Sequence, residues 1–176
     1  ETVEPYDLRT AFPFGVGFIA DQVTQFLKRR KLRIMREFKF DPVKRALGKD
    51  WPPLADTMIG LKRLDNLQFC IENIIKNNVP GDFIETGVWR GGACIFMRGV
   101  LKARGVTDRL VWVADSFEGL PPPNAAKYPQ DAEYKFHEYK ELAVSLEQVQ
   151  ENFRRYGLLD DQVRFLKGWF RDTLPT

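Results

Sequence analysis

Positions 81–94 read Gly-Asp-Phe-Ile-Glu-Thr-Gly-Val-Trp-Arg-Gly-Gly-Ala-Cys, and no other stretch constrains the fold so strongly. Phe83 and Ile84 form a short apolar run bounded by Pro80-Gly81 before and Gly87 after, the pattern of a buried strand in a parallel sheet. Gly91-Gly92 would let a helix N-terminus approach a ligand closely, and Ile95, Phe96, Gly99, Val100 and Leu101 continue at helical spacing. An acid such as Glu85 at the strand's carboxyl end, beside a glycine turn, marks where open α/β sheets bind nucleotides.

The same grammar recurs downstream. Leu110-Val111-Trp112-Val113-Ala114 predicts a second buried strand ending in Asp115, with Gly105 as the helix stop before it. Ser145 caps a following helix, Gln148 completes a capping box and Gly157 ends the helix. Val163-Arg164-Phe165-Leu166 predicts a third strand, followed by Gly168-Trp169-Phe170. Right-handed crossovers place these parallel strands in the spatial order third, second, first, half of a doubly wound sheet whose first strand calls for a further neighbour. Between 121 and 144, Pro121-Pro122-Pro123-Asn124 opens a polar connection dotted with aromatics and too long for a routine loop, which suggests a lid.

Upstream, Leu61, Leu64, Leu67, Ile71, Ile74 and Ile75 mark one face of a helix that ends near Asn77-Asn78. Between 18 and 38, Ile19, Val23, Phe26, Leu27, Ile34 and Met35 recur at approximately helical spacing, predicting one or two amphipathic helices. Pro42, Gly48, Pro52 and Pro53 then interrupt regular structure. The expected organisation is a helical and irregular arm over 1–56 and a ligand-binding domain over 57–176.

Composition narrows the class. With 176 residues, 44% apolar and 13% aromatic, the chain suits a globular domain with a sizeable core. The net charge of +3 is uneven: positions 28–45 hold nine Lys or Arg against Glu37 and Asp41, leaving 18 basic and 22 acidic residues elsewhere. Lys28-Arg29-Arg30-Lys31-Leu32-Arg33 admits an anionic surface, but no RNA-binding signature accompanies it. A solvated face or a subunit contact is the preferred reading, so no nucleic-acid partner is expected, and the arm is a candidate for homo-oligomer formation. Cys70 and Cys94 lack CxxC or His-paired spacing, which argues against a zinc site or a disulfide scaffold and makes a reducing cytoplasm the simplest compartment. No run approaches the roughly 20 apolar residues of a membrane span. The 11–20 stretch, with Pro13, Gly15 and Gly17, does not read as a secretory segment. The chain opens without Met and stops at Leu174-Pro175-Thr176, consistent with processing or truncation.

A ligand containing adenosine needs close backbone approach, an acceptor for ribose hydroxyls and apolar faces for the base. Glu85 and Gly87 would lie beside its amino-acid or sugar portion, Asp115 would accept both ribose hydroxyls, and Trp169 or Phe170 could flank the adenine. The glycine spacing is not G-x-G-x-x-G, and a carboxylate near the turn would oppose a pyrophosphate while suiting a cationic sulfonium. That favours S-adenosylmethionine over a dinucleotide. Structural alternatives stand beside each role: Glu85 as a cap or partner of a Lys or Arg, Asp115 as a turn start, Trp89 and Trp169 as packing residues, and Cys94 as a small buried side chain. His137, the one histidine, lies in the 121–144 connection and is a weak candidate for a general base, with an exposed loop position as its simpler reading.

Several blocks, in order, resemble the macrocin-type (TylF/MycF-like) O-methyltransferases, which act on sugars of macrolide antibiotics and on related natural products. They are Thr57-Met58-Ile59-Gly60, Arg63-Leu64-Asp65-Asn66-Leu67, Val79-Pro80-Gly81-Asp82-Phe83-Ile84-Glu85-Thr86-Gly87-Val88-Trp89-Arg90-Gly91-Gly92, Asp115-Ser116-Phe117-Glu118-Gly119-Leu120-Pro121 and Gly168-Trp169-Phe170. The E-x-G-x-x-x-G spacing is also similar to that of small metal-dependent O-methyltransferases.

The resemblance implies an α/β, class I methyltransferase (Rossmann-like) doubly wound sheet; this sequence is expected to supply it only as far as the third strand, truncated there, with a helical N-terminal arm before it. It implies S-adenosylmethionine as donor, Mg2+ at the acceptor and a sugar hydroxyl or similar alcohol as nucleophile. The implied cofactor residues are Thr57, Met58, Glu85, Thr86, Gly87, Val88, Trp89, Asp115, Ser116, Phe117, Glu118, Gly119, Gly168, Trp169 and Phe170. The family's aspartate-rich metal motif follows the next strand, so no metal ligand is carried over. The alternative function is a catalytically incomplete module that binds S-adenosylmethionine or acts only in assembly.

Overall fold

The computed structural model describes residues 2–5, 17–30, 32, 34–38, 40–50, 52 and 54–174. Lys31 and Arg33 of the basic run, and the first part of the 11–20 stretch, lie outside the described residues. Contacts divide the chain into two units, Glu1–Val43 and Lys44–Thr176.

In the first unit, strand β1 (Thr2–Pro5) pairs antiparallel with β2 (Met35–Phe38), and helix α1 spans Gly17–Arg29. The helical periodicity expected as far as position 38 therefore stops early. Leu27 O accepts from both Arg30 N and Leu32 N, which closes the helix end. Four residues satisfy a period of two as readily as one of 3.6, and the backbone of Thr2–Pro5 supplies the pairing that decides for strand.

The second unit starts within the short helix α2 (Pro42–Leu47) and continues into α3 (Leu61–Lys76). The 54–56 segment, grouped with the arm by its irregular sequence, packs here. Asp56 O accepts from Gly92 N at 3.0 Å and Ala55 O from Arg90 Nη1 at 2.9 Å. Strand β3 (Phe83–Thr86), helix α4 (Gly92–Ala103), strand β4 (Val111–Asp115), helix α5 (Leu146–Arg155), strand β5 (Val163–Lys167) and the short helix α6 (Phe170–Thr173) complete it. The strands form a parallel sheet in the order β3-β4-β5, with Phe83 opposite Val111 and Val111 opposite Val163. This is the order expected from the crossover rule. Val111, Val113 and Ala114 of the central strand are fully buried, which explains its nearly unbroken apolar sequence. Beyond β3 no further strand pairs among the described residues, and Ile84 remains 52% exposed.

The core lies between this sheet and α3, α4 and α5. Ile71, Cys94, Leu101, Val149 and Phe153 are buried to within about a hundredth of their surface. Ser145 Oγ caps α5 by accepting from Gln148 N at 3.3 Å. At the amino ends of the strands, Asp82 joins β3 to β4: Oδ1 accepts from Leu110 N at 2.9 Å and Oδ2 from Trp112 Nε1 at 3.0 Å.

One ion pair fixes α4 to the turn before β5. Buried Arg98 grips Asp160 with two short bonds, Nε to Oδ1 at 2.9 Å and Nη2 to Oδ2 at 2.6 Å, while Nη1 is buried without a hydrogen-bond partner. Arg98 holds the Asp160 carboxyl below its ordinary value of 3.8. The stabilisation is therefore complete above that value and fades as acidification carries the protein through the lowered folded value. Asp160→Asn is expected to cost about 2 kcal/mol at neutral pH, a charged hydrogen bond discounted for the exposure of Asp160. Denaturant unfolding of both proteins at neutral and strongly acidic pH checks this, since the difference should vanish in acid.

Candidate cofactor site

The carboxyl ends of β3, β4 and β5 meet around a cavity of about 400 Å³, within the range of small-molecule sites. Its wall takes Gly87 and Trp89 from the turn after β3, and Asp115, Ser116 and Gly119 from the end of β4. Gly168, Trp169 and Phe170 follow β5. Sequence reasoning singled out all eight. Leu120, Pro121 and Leu142 also line the cavity and were missed as site residues. The first two close the D-S-F-E-G-L-P block, which was the available signal. Leu142 comes from the far end of the 121–144 connection, where no local pattern announces it.

Asp115 organises the two loops. Its Oδ2 accepts from Val88 N at 2.7 Å and its Oδ1 from Phe117 N at 2.9 Å. Ser116 Oγ lies 3.3 Å from Oδ1 and 3.2 Å from Gly119 O, so its single proton serves one of them at a time. A carboxylate offers about four lone-pair directions, and two are spent on backbone N–H groups. One remains open on Oδ2, and a second opens on Oδ1 when the Ser116 proton turns to Gly119. The capacity for two external hydroxyls thus depends on the Ser116 rotor.

The backbone beside these bonds is strained. Trp89 and Phe117 adopt φ of 50° and 58°, the left-handed region that a bulky side chain enters at a cost of about 1–3 kcal/mol. Gly87, at φ 86°, turns the chain where an added Cβ would meet open space. Gly91 and Gly92 have a different role from the ligand approach expected of them. A Cβ on Gly91 would lie 2.8 Å from Val149 Cγ1, and one on Gly92 would lie 2.3 Å from Asp56 O. These two glycines admit protein neighbours at the start of α4.

Glu85 points to the same face of β3 as α4 and accepts from Cys94 Sγ at 2.9 Å. Burial raises the Glu85 carboxyl above its ordinary value and the Asp115 charge adds to this, while the Cys94 S–H and N–H oppose it. Burial also pushes the Cys94 thiol well up, so it stays protonated and donates. Cys94 is thus a donor to Glu85 as well as a buried core residue.

Other expected residues stand outside the cavity wall. Val88 and Phe117 are buried, Phe117 against Phe165, while Thr86 and Glu118 are exposed. His137 is exposed in the 3-10 turn Phe136–Glu138. Met58 is partly buried and lines neither this cavity nor the larger groove that Thr57 enters. That groove, about 790 Å³, lies between α3, α4 and the end of α5, over Ile95, Phe96 and Val100. Its flanks are closed by the Arg104–Glu72 pair and by Tyr156 donating to Asp56 at 2.8 Å. It contains no strand end and lacks Asp115, which lines the smaller cavity, while Glu85 lines neither. Among the described residues, no three acids, cysteines or histidines converge to hold a metal, and no helix is long and apolar enough to cross a membrane.

Comparison with known proteins agrees with this architecture. The family model for macrocin O-methyltransferase (TylF) matches residues 14–176. The tetracenomycin-pathway 8-demethyl-8-(2,3-dimethoxy-alpha-L-rhamnosyl)-tetracenomycin-C 4'-O-methyltransferase of Streptomyces olivaceus is 64% identical over 132 residues, covering 74% of this chain and 51% of the relative. The mycinamicin III 3''-O-methyltransferase of Micromonospora griseorubida is 58% identical over 146 residues, covering 81% and 58%. The solved structure of the O-methyltransferase NovP superposes with a TM-score of 0.76 at 57% identity, covering 78% of this chain and 57% of that one. The chain spans about half the length of the curated relatives it matches. It belongs to the macrocin O-methyltransferase (TylF) family.

Proposed function

We propose that this chain is the cofactor-binding part of an S-adenosylmethionine-dependent O-methyltransferase of the class I fold, acting on a hydroxyl of a sugar or related natural product. The observation that carries the reading is the cavity at the carboxyl ends of three parallel strands, with the Asp115 carboxylate in its wall beside Trp89, Trp169 and Phe170. Membership of a methyltransferase family supports the donor, and the names of the tetracenomycin and mycinamicin relatives support the acceptor class.

The residues fit such a cofactor by chemistry. Asp115 has lone pairs left for ribose hydroxyls, and the aromatic side chains offer faces for the adenine. Glu85 and Asp115 place negative charge near the turn, which suits a cationic ligand and disfavours a pyrophosphate. S-adenosylmethionine, when bound, supplies an electrophilic methyl group. The chain's contribution is to bind and orient it and to exclude water beneath Leu120, Pro121 and Leu142. The magnesium that the family resemblance implies finds no matching donor set among the described residues.

Calorimetry on the full-length protein is expected to detect binding of both S-adenosylmethionine and S-adenosylhomocysteine, and a folded sample that binds neither would sink the reading. Asp115→Ala should weaken cofactor affinity by more than about 1 kcal/mol, the scale of a charge-assisted hydrogen bond. Because the same change frees Val88 N and Phe117 N, thermal unfolding must first establish that the variant is folded. Unchanged affinity in such a sample would remove Asp115 from the site.

A further inference from the structure

We infer that Trp89 is a positioning residue that seats the far end of the 121–144 connection, so that Leu142 forms part of the cavity wall. The indole Nε1 of Trp89 donates to Glu141 O at 2.8 Å, across 52 positions of sequence. The next residue, Leu142, lines the cavity. Ala143 then abuts Gly119 so closely that a Cβ there would come within 3.0 Å of the Ala143 Cβ. Leu142 is thus flanked by a hydrogen bond on one side and a tight backbone contact on the other.

Trp89 is itself fixed. Asp115 holds the amide of the preceding residue, and the Arg90 guanidinium lies 4.3 Å from the centre of the indole while Nη1 donates to Ala55 O. A tryptophan at φ 50° persists only where its surroundings over-determine it, and these contacts do so. The connection between its two ends is exposed and folds into short 3-10 turns closed by local bonds such as Asp131 N to Tyr128 O at 3.1 Å. Such a segment opens at low cost unless its ends are secured, and the indole secures one of them.

Limited trypsin digestion of the full-length protein tests this, since Lys127, Lys135 and Lys140 lie in the exposed connection. Trp89→Phe keeps an aromatic ring and removes the donor. Without ligand it should be cut in the connection about five-fold faster than wild type, the change expected for one lost hydrogen bond. Leu142→Ala keeps the donor and should be cut at the wild-type rate, while its affinity for S-adenosylhomocysteine falls about three-fold or more, as for lost apolar contact. Cleavage of Trp89→Phe at the wild-type rate would overturn the proposal. Should that variant not fold, hydrogen exchange of the wild-type indole proton decides: protection of about ten-fold over a free indole supports the bond, and free exchange overturns it. The role of Leu142 rests on the cofactor reading, but the digestion without ligand does not. Accelerated cleavage of Trp89→Phe in a protein that fails to bind S-adenosylhomocysteine would retain the positioning role and reject the cofactor reading.

Discussion

The second unit depends on a carboxylate that bonds across a strand boundary. Asp115 ends β4, yet its oxygens hold the amide of Val88 in the loop after β3 and the amide of Phe117 in its own loop. Both loops contain a non-glycine residue at positive φ, and each is tied by a bond at or beside the strained position. Charge-assisted bonds to backbone amides contribute about 1.5–3 kcal/mol, enough to offset strain of this size. With Asp82 performing the equivalent task at the amino ends, β3 and β4 are locked at both ends by aspartates. The strand register that results brings Gly87, Asp115 and Gly168 together at the carboxyl end of the sheet.

The same arrangement explains why the cavity sits where it does. Parallel strands leave their carboxyl ends as a row, and the loops must part there to reach helices packed on the sheet. Gly91 and Gly92 let α4 start against Val149 and the Asp56 backbone, keeping that helix close to α5 and to the segment before α3. Glu85, a partly buried acid beside Asp115, faces the helix start and accepts a hydrogen bond from the protonated Cys94 thiol. The larger groove between α3 and α4 offers more volume and paired polar groups, Arg104–Glu72 and Tyr156–Asp56 among them, but no carboxyl end of a strand.

Much of this was legible from residues alone, for identifiable reasons. Buried parallel strands are short apolar runs between turn residues, so Val111–Asp115 and Val163–Lys167 declared themselves within a residue or two. The Ser145 cap and the helix ending before Asn77 follow from side-chain chemistry that acts locally. The strand Met35–Phe38 was not legible, because its pairing with Thr2–Pro5 lies more than thirty positions away. Leu142 in the cavity wall, the neighbours of Gly91 and Gly92, and the thiol on Glu85 are likewise set by tertiary packing, which leaves no periodic trace in the chain. The cavity's polar half was readable as acids and glycines at strand ends, and its apolar cover was not.

Backbone amide shifts, followed while S-adenosylhomocysteine is titrated into isotope-labelled full-length protein, test the central claim most directly. The account predicts the largest changes at Gly87, Val88, Phe117 and Gly168, around the carboxyl ends of the strands. Changes confined to Thr57, Ile95 and Tyr156, in the larger groove, would contradict it.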